Sequence, residues 1–171
     1  VLQTTLNING TVTKKGGSWD IHFANLSTPT LTGDAKSTNA DIQATSFTFS
    51  ATVAKPLDSI VYTFDVVNGG SIDAVLDSIT LSGATEAKTH NITYTLTYAD
   101  DKPIAKGDTL KSEQTRSLKL TVSYDDVDSL SESDIELDLG AVLIYVQAEE
   151  TNSGGGDLDS DLETYAVGQE V

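Results

Sequence analysis

The chain has no cysteine and no methionine, and its 171 residues include one tryptophan, three prolines and two histidines. Without cysteine it can form neither a disulfide nor a thiolate metal site. His22 and His90 stand alone, without the His-Glu-x-x-His spacing that binds zinc. A Gly-x-Ser-x-Gly elbow and a phosphate-binding glycine loop are also absent. We therefore expect a protein that is not an enzyme.

Positive charge is also scarce, because 26 acidic residues face 10 basic ones and leave a net charge of −16. Such a surface repels nucleic-acid phosphates and anionic lipid headgroups, and it attracts cations. No stretch approaches the ~18 apolar residues of a membrane-spanning helix. We expect a mature chain that binds neither nucleic acid nor membrane. The cysteine-free composition, rich in Thr, Ser and Asp, is typical of a secreted, extracellular or cell-surface protein.

The apolar residues mostly alternate with polar ones, and they are mainly Val, Ile, Leu, Tyr and Phe. This composition and period of two favour strands over helices. The pattern predicts an all-β fold in which two antiparallel sheets pack face to face, as a jelly-roll or Ig-like sandwich. The predicted organisation is an N-terminal strand or arm over residues 1–13, a β-sandwich over 14–148 and an acidic, Gly-rich tail over 149–171.

The segment Lys55–Leu81 is predicted to be a strand, a tight turn and a second strand. Asn68-Gly69-Gly70-Ser71 suits a hairpin connection because such residues accept positive φ. Beyond the turn the apolar residues change phase, and a β-bulge near Asp77-Ser78 would keep them facing the core. The later segment Ile135–Ala148 is apolar on both faces after Gly140, which predicts the most buried, central strand.

Residues 2–13 alternate with unusual regularity and would span roughly 35 Å at ~3.3 Å per residue. The glycines of Lys14-Lys15-Gly16-Gly17 end the segment. Two interpretations stay open from alternation alone. The segment is either the first strand of its own sandwich or a donor strand that completes a sheet in another copy. Its anchors in the second case are the apolar side chains of one face: Leu2, Leu6, Ile8 and Val12.

The central segment resembles the TasA/camelysin family, whose members form extracellular matrix fibres in Gram-positive bacteria. The resemblance rests on Lys55-Pro56-Leu57-Asp58, the alternating strand after it, Asn68-Gly69-Gly70-Ser71-Ile72, and the closing Tyr145-Val146-Gln147-Ala148. Leu57 stands where the family usually has glycine. The resemblance implies a jelly-roll subunit that polymerises by donor-strand exchange through its N-terminal segment. The family has also been described as metalloproteases, but no zinc motif in this chain carries that activity over.

Burial of three or four anchors would contribute on the order of 5 to 10 kcal/mol at about 1.5 to 3 kcal/mol each, before the costs of association. Since donor and acceptor lie on different parts of the chain, the contact would be head-to-tail and grow an open filament. The expected function is thus a structural subunit of an extracellular filament or biofilm matrix fibre. The alternative is a monomeric cell-surface binding or adhesion module that presents loops such as Thr28–Asn39 or Asp100–Asp108.

One stretch near the end of the chain carries carboxylates at alternate positions, which suits a hard cation such as Ca²⁺. The candidate ligands are Asp157, Asp159, Asp161 and Glu163. Leu162 and Gly168 replace the Gly and Glu that an EF-hand loop requires at those positions, so a solvated acidic tail is the alternative. Three triplets also fit the N-glycosylation pattern, beginning at Asn9, Asn25 and Asn91.

Overall fold

The structure is a computed structural model that describes residues 1–128 and 133–149. This part of the chain forms ten strands and one short helix. They are β1 (Ile21–Ala24), β2 (Thr30–Thr32), β3 (Lys36–Ile42), β4 (Phe47–Thr52), β5 (Ser59–Asn68), β6 (Ala74–Ser82), α1 (Ala84–Thr89), β7 (Ile92–Tyr98), β8 (Thr109–Leu110), β9 (Thr115–Tyr124) and β10 (Gly140–Gln147). All strand pairs are antiparallel, and the all-β prediction is confirmed.

The strands form one large sheet and two smaller pieces. The large sheet has the order β1-β5-β9-β7, and β2 continues along the same edge of β5 as β1. The smaller pieces are the three-stranded sheet β10-β6-β8 and the two-stranded hairpin β3-β4. The arrangement is sandwich-like, because apolar residues of both smaller pieces pack against the core that the large sheet buries.

The core follows directly from the period of two. In β5 every even-numbered residue is buried, and every odd-numbered one is partly exposed. The same alternation runs through β9, where Leu118 and Leu120 lie in register with Phe64 and Tyr62 of β5. Tyr62 is fully buried, and its hydroxyl hydrogen-bonds to Ser37. One face of the large sheet therefore supplies most of the buried apolar surface.

The predicted hairpin between β5 and β6 is wrong, although both strands exist. β5 belongs to the large sheet, whereas β6 pairs with β10 and β8. The connection therefore crosses from one layer to the other. Its polar groups are satisfied by the buried Asn68 side chain, whose Nδ2 donates to the carbonyls of Ile72 (2.9 Å) and Leu110 (3.0 Å). The Asn68 Oδ1 accepts the N–H of Gly70 at 3.0 Å.

The glycines of this connection serve close approach rather than positive φ. Neither Gly69 nor Gly70 is among the residues with positive φ. A Cβ on Gly70 would lie 2.4 Å from the carbonyl oxygen of Ser18, which is too close for any side chain.

The predicted bulge near Asp77-Ser78 is confirmed. Ile144 pairs with Ser78 and Tyr145 with Leu76, so Asp77 is the extra residue of β6.

The prediction that the last strand is the most buried is also wrong. β10 pairs only with β6, and its outward side chains Val142, Ile144 and Val146 are 58%, 47% and 40% exposed. Only the inward face, with Ala141 and Leu143, packs on the core. The apolar residues on the outward face of β10 are therefore not covered by a second layer of the described structure.

Asp58 ties the β2–β3 loop to the start of β5. Its nearly inaccessible carboxylate accepts N–H groups from Ala54 (2.9 Å), Lys55 (3.1 Å) and Asp34 (3.1 Å). Burial favours the neutral acid, but the three N–H donors and the Lys55 charge outweigh it and hold the pKa of Asp58 below its usual range. Gly33 fits here because a Cβ on it would lie 2.1 Å from Asp58 Oδ1.

We expect Asp58→Asn to lower the free energy of unfolding at pH 7, because its amide nitrogen would face N–H donors. A carboxylate whose folded pKa is lowered stabilises the fold above its unfolded pKa of about 4, and this contribution disappears as pH falls through the folded pKa. The difference between wild type and variant should therefore shrink below about pH 4. Urea unfolding at pH 7 and pH 3 measures it. An equal difference at both pH values would contradict this account.

Leu57 adopts a φ of 76° and is 63% exposed. A non-glycine residue in this left-handed region is strained by roughly 1–2 kcal/mol, and Leu57→Gly removes that strain with little loss of burial. Glycine also loosens the unfolded chain by ~0.4–1 kcal/mol, so we expect a net stabilisation of about 0.5–1 kcal/mol. Urea unfolding provides the measurement. Leu57→Ala is the matched control, because it keeps the strain and should not stabilise.

Candidate functional site

A groove separates β4 from β10 on the core side of the large sheet. Of their two edges, β4 uses only the one that faces β3, and β10 uses only the one that faces β6. Both strands cover the same core, since Phe47 and Phe49 contact the rings of Phe64 and Tyr62, and Leu143 packs against the same cluster. The layer opposite the large sheet is therefore split into two pieces, each with an unpaired strand edge along the split.

The groove has a volume of about 210 Å³. This is larger than the ~150 Å³ apolar cavity that holds a benzene ring. Its floor comes from the large sheet and includes Phe64, Tyr94, Leu96, Leu118 and Leu120. None of the described residues that line it is acidic or basic, so its chemistry suits apolar side chains rather than ions or proton transfer.

The walls of the groove leave aromatic surface open to solvent. Phe47 and Phe49 are only partly buried and stack on each other with ring centroids 5.6 Å apart. Phe47 reaches the buried ring of Phe64 at 4.9 Å. On the other wall Leu139, Ala141 and Leu143 are also only partly buried. Covering such surface yields about 25 cal/mol per Å², so the site favours an apolar occupant.

Three other strand edges in the described residues are covered or interrupted, as edges of natural sheets usually are. Helix α1 packs against β7, and Pro103 forms an isolated bridge with Thr97 of that strand. The β3 edge is broken where the register shifts around Asn39, and Asn25 ends β1 with a φ of 61°. β4 and β10 contain no charged residue and no proline. Their groove-facing edges are therefore open to another strand.

Residues 1–20 form no strand and are exposed throughout, so the first strand of the sheets begins only at Ile21. The predicted anchors of this segment are 87–101% exposed and lie outside the groove of their own chain: Leu2, Leu6, Ile8 and Val12. The described structure thus does not use residues 2–13 as the first strand of their own sandwich. We call residues 1–17 the arm.

The arm is tied to the body at a single place, which we call its root. The N–H of Ser18 donates to Ser71 Oγ at 2.9 Å, and the N–H of Ser71 donates to the Ser18 carbonyl at 3.0 Å. The N–H of Gly69 donates to the Asp20 carbonyl at 2.8 Å. Because a Cβ on Gly70 would collide with Ser18, the glycines noted in the sequence allow the root to approach. That role was not evident from the sequence.

The other predicted sites do not come together in the described residues. The candidate calcium ligands Asp157, Asp159, Asp161 and Glu163 lie outside them. Residues 1–128 and 133–149 contain no group of three or more His, Asp or Glu side chains that could hold a metal. His22 contacts Asp20 at 2.8 Å, and His90 caps α1.

The three candidate glycosylation asparagines, Asn9, Asn25 and Asn91, are all exposed. The only helix in the described ranges has six residues, and none there is long and apolar enough to cross a membrane. Comparisons of the chain with family models, with curated proteins and with solved structures find no match.

Deleting residues 1–13 should change the free energy of unfolding by no more than about 0.5 kcal/mol, because exposed side chains without partners contribute little. A synthetic peptide of residues 1–13 should then add about 2.7 kcal/mol to the free energy of unfolding of the truncated chain at 100 times its Kd, and so raise its melting temperature. Differential scanning fluorimetry measures both effects. The control peptide carries Leu6→Asp and Ile8→Asp. Equal stabilisation by the two peptides would contradict an apolar fit.

Proposed function

We propose that this chain is the structural subunit of a secreted filament, a fibre of an extracellular or biofilm matrix. In this proposal the arm of one copy fills the groove of the next and completes a jelly-roll sandwich. The observation that carries it is one chain with two complementary parts. It has an apolar groove between two unpaired strand edges, and it has an exposed, alternating segment with no place in its own sheets.

Backbone and side chains support the same occupant. A strand inserted between β4 and β10 would hydrogen-bond to both open edges, which is how extended segments add to sheets. Its even-numbered side chains would enter the groove, and its polar odd-numbered ones would face solvent. Three or four buried anchors contribute on the order of 5 to 10 kcal/mol before the costs of association.

The lengths also agree. β10 has eight residues, or about 27 Å at ~3.4 Å per residue. The roughly 35 Å of residues 2–13 can line all of it. Lys14-Lys15-Gly16-Gly17 then remains to cross between two subunits. Since donor and acceptor are different surfaces, each added copy presents a new arm and a new groove, and growth is open-ended.

The alternative of a monomeric binding module has weaker support in the described residues. The proposed loop Thr28–Asn39 contains β2 and part of β3, so much of its backbone is already paired. In the other loop Asp108 accepts hydrogen bonds from the Tyr98 hydroxyl at 2.5 Å and from the N–H of Ala105 at 2.9 Å. Both segments are tied down in the sandwich rather than presented as free loops. We therefore propose a structural, non-enzymatic role.

Two paired variants of the arm test the proposal in filaments viewed by negative-stain electron microscopy. Leu6→Asp with Ile8→Asp places charge on the apolar face and should abolish filaments, because an unpaired carboxylate is costly to bury. Thr5→Asp with Asn7→Asp adds the same charge to the opposite face and should leave filaments in place. Both variants should melt like the wild-type monomer. Filaments of normal length from the first variant would refute the donor-strand proposal.

A further inference from the structure

We propose that the arm enters the neighbour's groove at the end far from the acceptor's own root, and so runs antiparallel to β10 and parallel to β4. This inference rests on the proposed function and adds the direction of the contact. It places Val12 at the Leu139–Ala141 end of the groove and Leu6 at the Tyr145–Gln147 end, with Leu2 beyond the end of β10. The direction matters because it decides whether copies join into an open chain or a closed pair.

β10 runs toward the root end of the subunit. Its last residues lie beside the connection that holds the root, since Gln147 pairs with Ala74 and the N–H of Ala148 donates to the Asp73 carbonyl at 2.9 Å. Its first residue, Gly140, pairs with Ser82 at the opposite end of β6. The start of β10 therefore marks the far end of the groove.

β4 runs the opposite way. β5 ends at Asn68, next to the root, so Phe64 lies nearer the root than Tyr62 does. Phe47 is 4.9 Å from Phe64, and Phe49 is 5.1 Å from Tyr62. β4 therefore starts nearer the root and ends away from it. Any strand inserted between β4 and β10 must be parallel to one and antiparallel to the other.

The position of the root selects one of the two directions. Every copy sends its arm out at the root end. If an arm entered another groove at that same end, two copies would face each other root to root and exchange arms as a closed dimer. Folding back into its own groove would also require entry at the root end. Entry at the far end leaves one free arm and one free groove, which is what a filament requires.

Charge near the groove favours the same entrance. The arm reaches the body through Lys14 and Lys15. The described residues just before β10, at the far end, include three exposed carboxylates and no basic residue: Asp134, Glu136 and Asp138. In the proposed direction the two lysines arrive beside these carboxylates. The attraction between exposed lysines and carboxylates is modest. Its sign nevertheless favours the positively charged Lys14-Lys15 linker at this end of the groove and disfavours a negatively charged segment.

Disulfide mapping in assembled filaments tests the direction, and the natural chain has no cysteine to interfere. Asn7→Cys or Thr11→Cys labels the outward face of the arm, and Val142→Cys or Val146→Cys labels the outward face of β10. Residues four apart on a strand are ~13 Å apart, beyond the ~7 Å between Cα atoms that a disulfide spans. The four possible pairings therefore separate the two directions.

Single-cysteine variants are mixed in pairs, one of them isotope-labelled, then assembled and oxidised, and cross-linked peptides are identified by mass. We expect Thr11→Cys to join Val142→Cys and Asn7→Cys to join Val146→Cys. The reverse pairs should not form. If neither the expected nor the reverse pairs form, both arm cysteines are shifted along the arm by two residues at a time. This shift tests other registers of the arm against β10 and leaves the test of direction unchanged. Reverse pairs, or no pair at any register, would overturn the inference.

The same variants distinguish failure of the direction from failure of the proposed function. Filaments whose arms cross-link in the reverse pairs would retain the donor-strand filament and reject the direction. A chain that carries both Asn7→Cys and Val142→Cys and forms its disulfide within one molecule, without filaments, would show a self-filled groove. That result, or closed dimers from the same chain, would reject both proposals. A ladder of oligomers from the Thr11→Cys, Val142→Cys chain is the result expected if both hold.

Discussion

The unpaired backbone edges of β4 and β10 are the constraint on which the rest of this molecule depends. Each edge carries N–H and C=O groups that have no partner strand in the part of the chain that the structure describes. The groove between the two edges is lined by apolar side chains that are not fully covered. The two strands run in opposite directions, but they are separated by a groove and do not pair. In the proposed filament a single extended segment, the arm of another copy, would satisfy both edges at once.

Strand positions could be predicted from the sequence because the period of two is a local property. β5, β7 and β9 lie where alternation indicated them. Partners of strands could not be predicted in the same way. Two strands joined by a short turn can pair or cross between layers, and the choice at Asn68 depends on a buried amide that bonds to Leu110, 42 residues away. Helix α1 was missed because six residues are too few to show a helical period.

The candidate site also has one part that could be predicted from local alternation and one part that could not. The anchors Leu2, Leu6, Ile8 and Val12 could be chosen from alternation, and the structure leaves them exposed. The groove could not be predicted from the sequence. It is the gap between β4 and β10, two strands that are distant in sequence and do not pair. In the sequence, apolar residues on both faces of β10 predict two covering layers. One face instead packs on the core, while Val142, Ile144 and Val146 stay open to solvent.

The root of the arm is where local chemistry sets the geometry of assembly. Gly70 lets Ser18 approach the β5–β6 connection, and the hydrogen bonds there fix the end at which the arm leaves. The same connection fixes where β10 ends, through Asp73 and Ala74. Departure of the arm and polarity of the groove are thus set by one short segment, residues 69–74. In the proposed filament an inserted arm must break two ladders and expose its anchors before it can leave, so dissociation is slow even where the net free energy is moderate. In this proposal the chain gains its final strand only by association, and the completed sandwich is formed by two molecules.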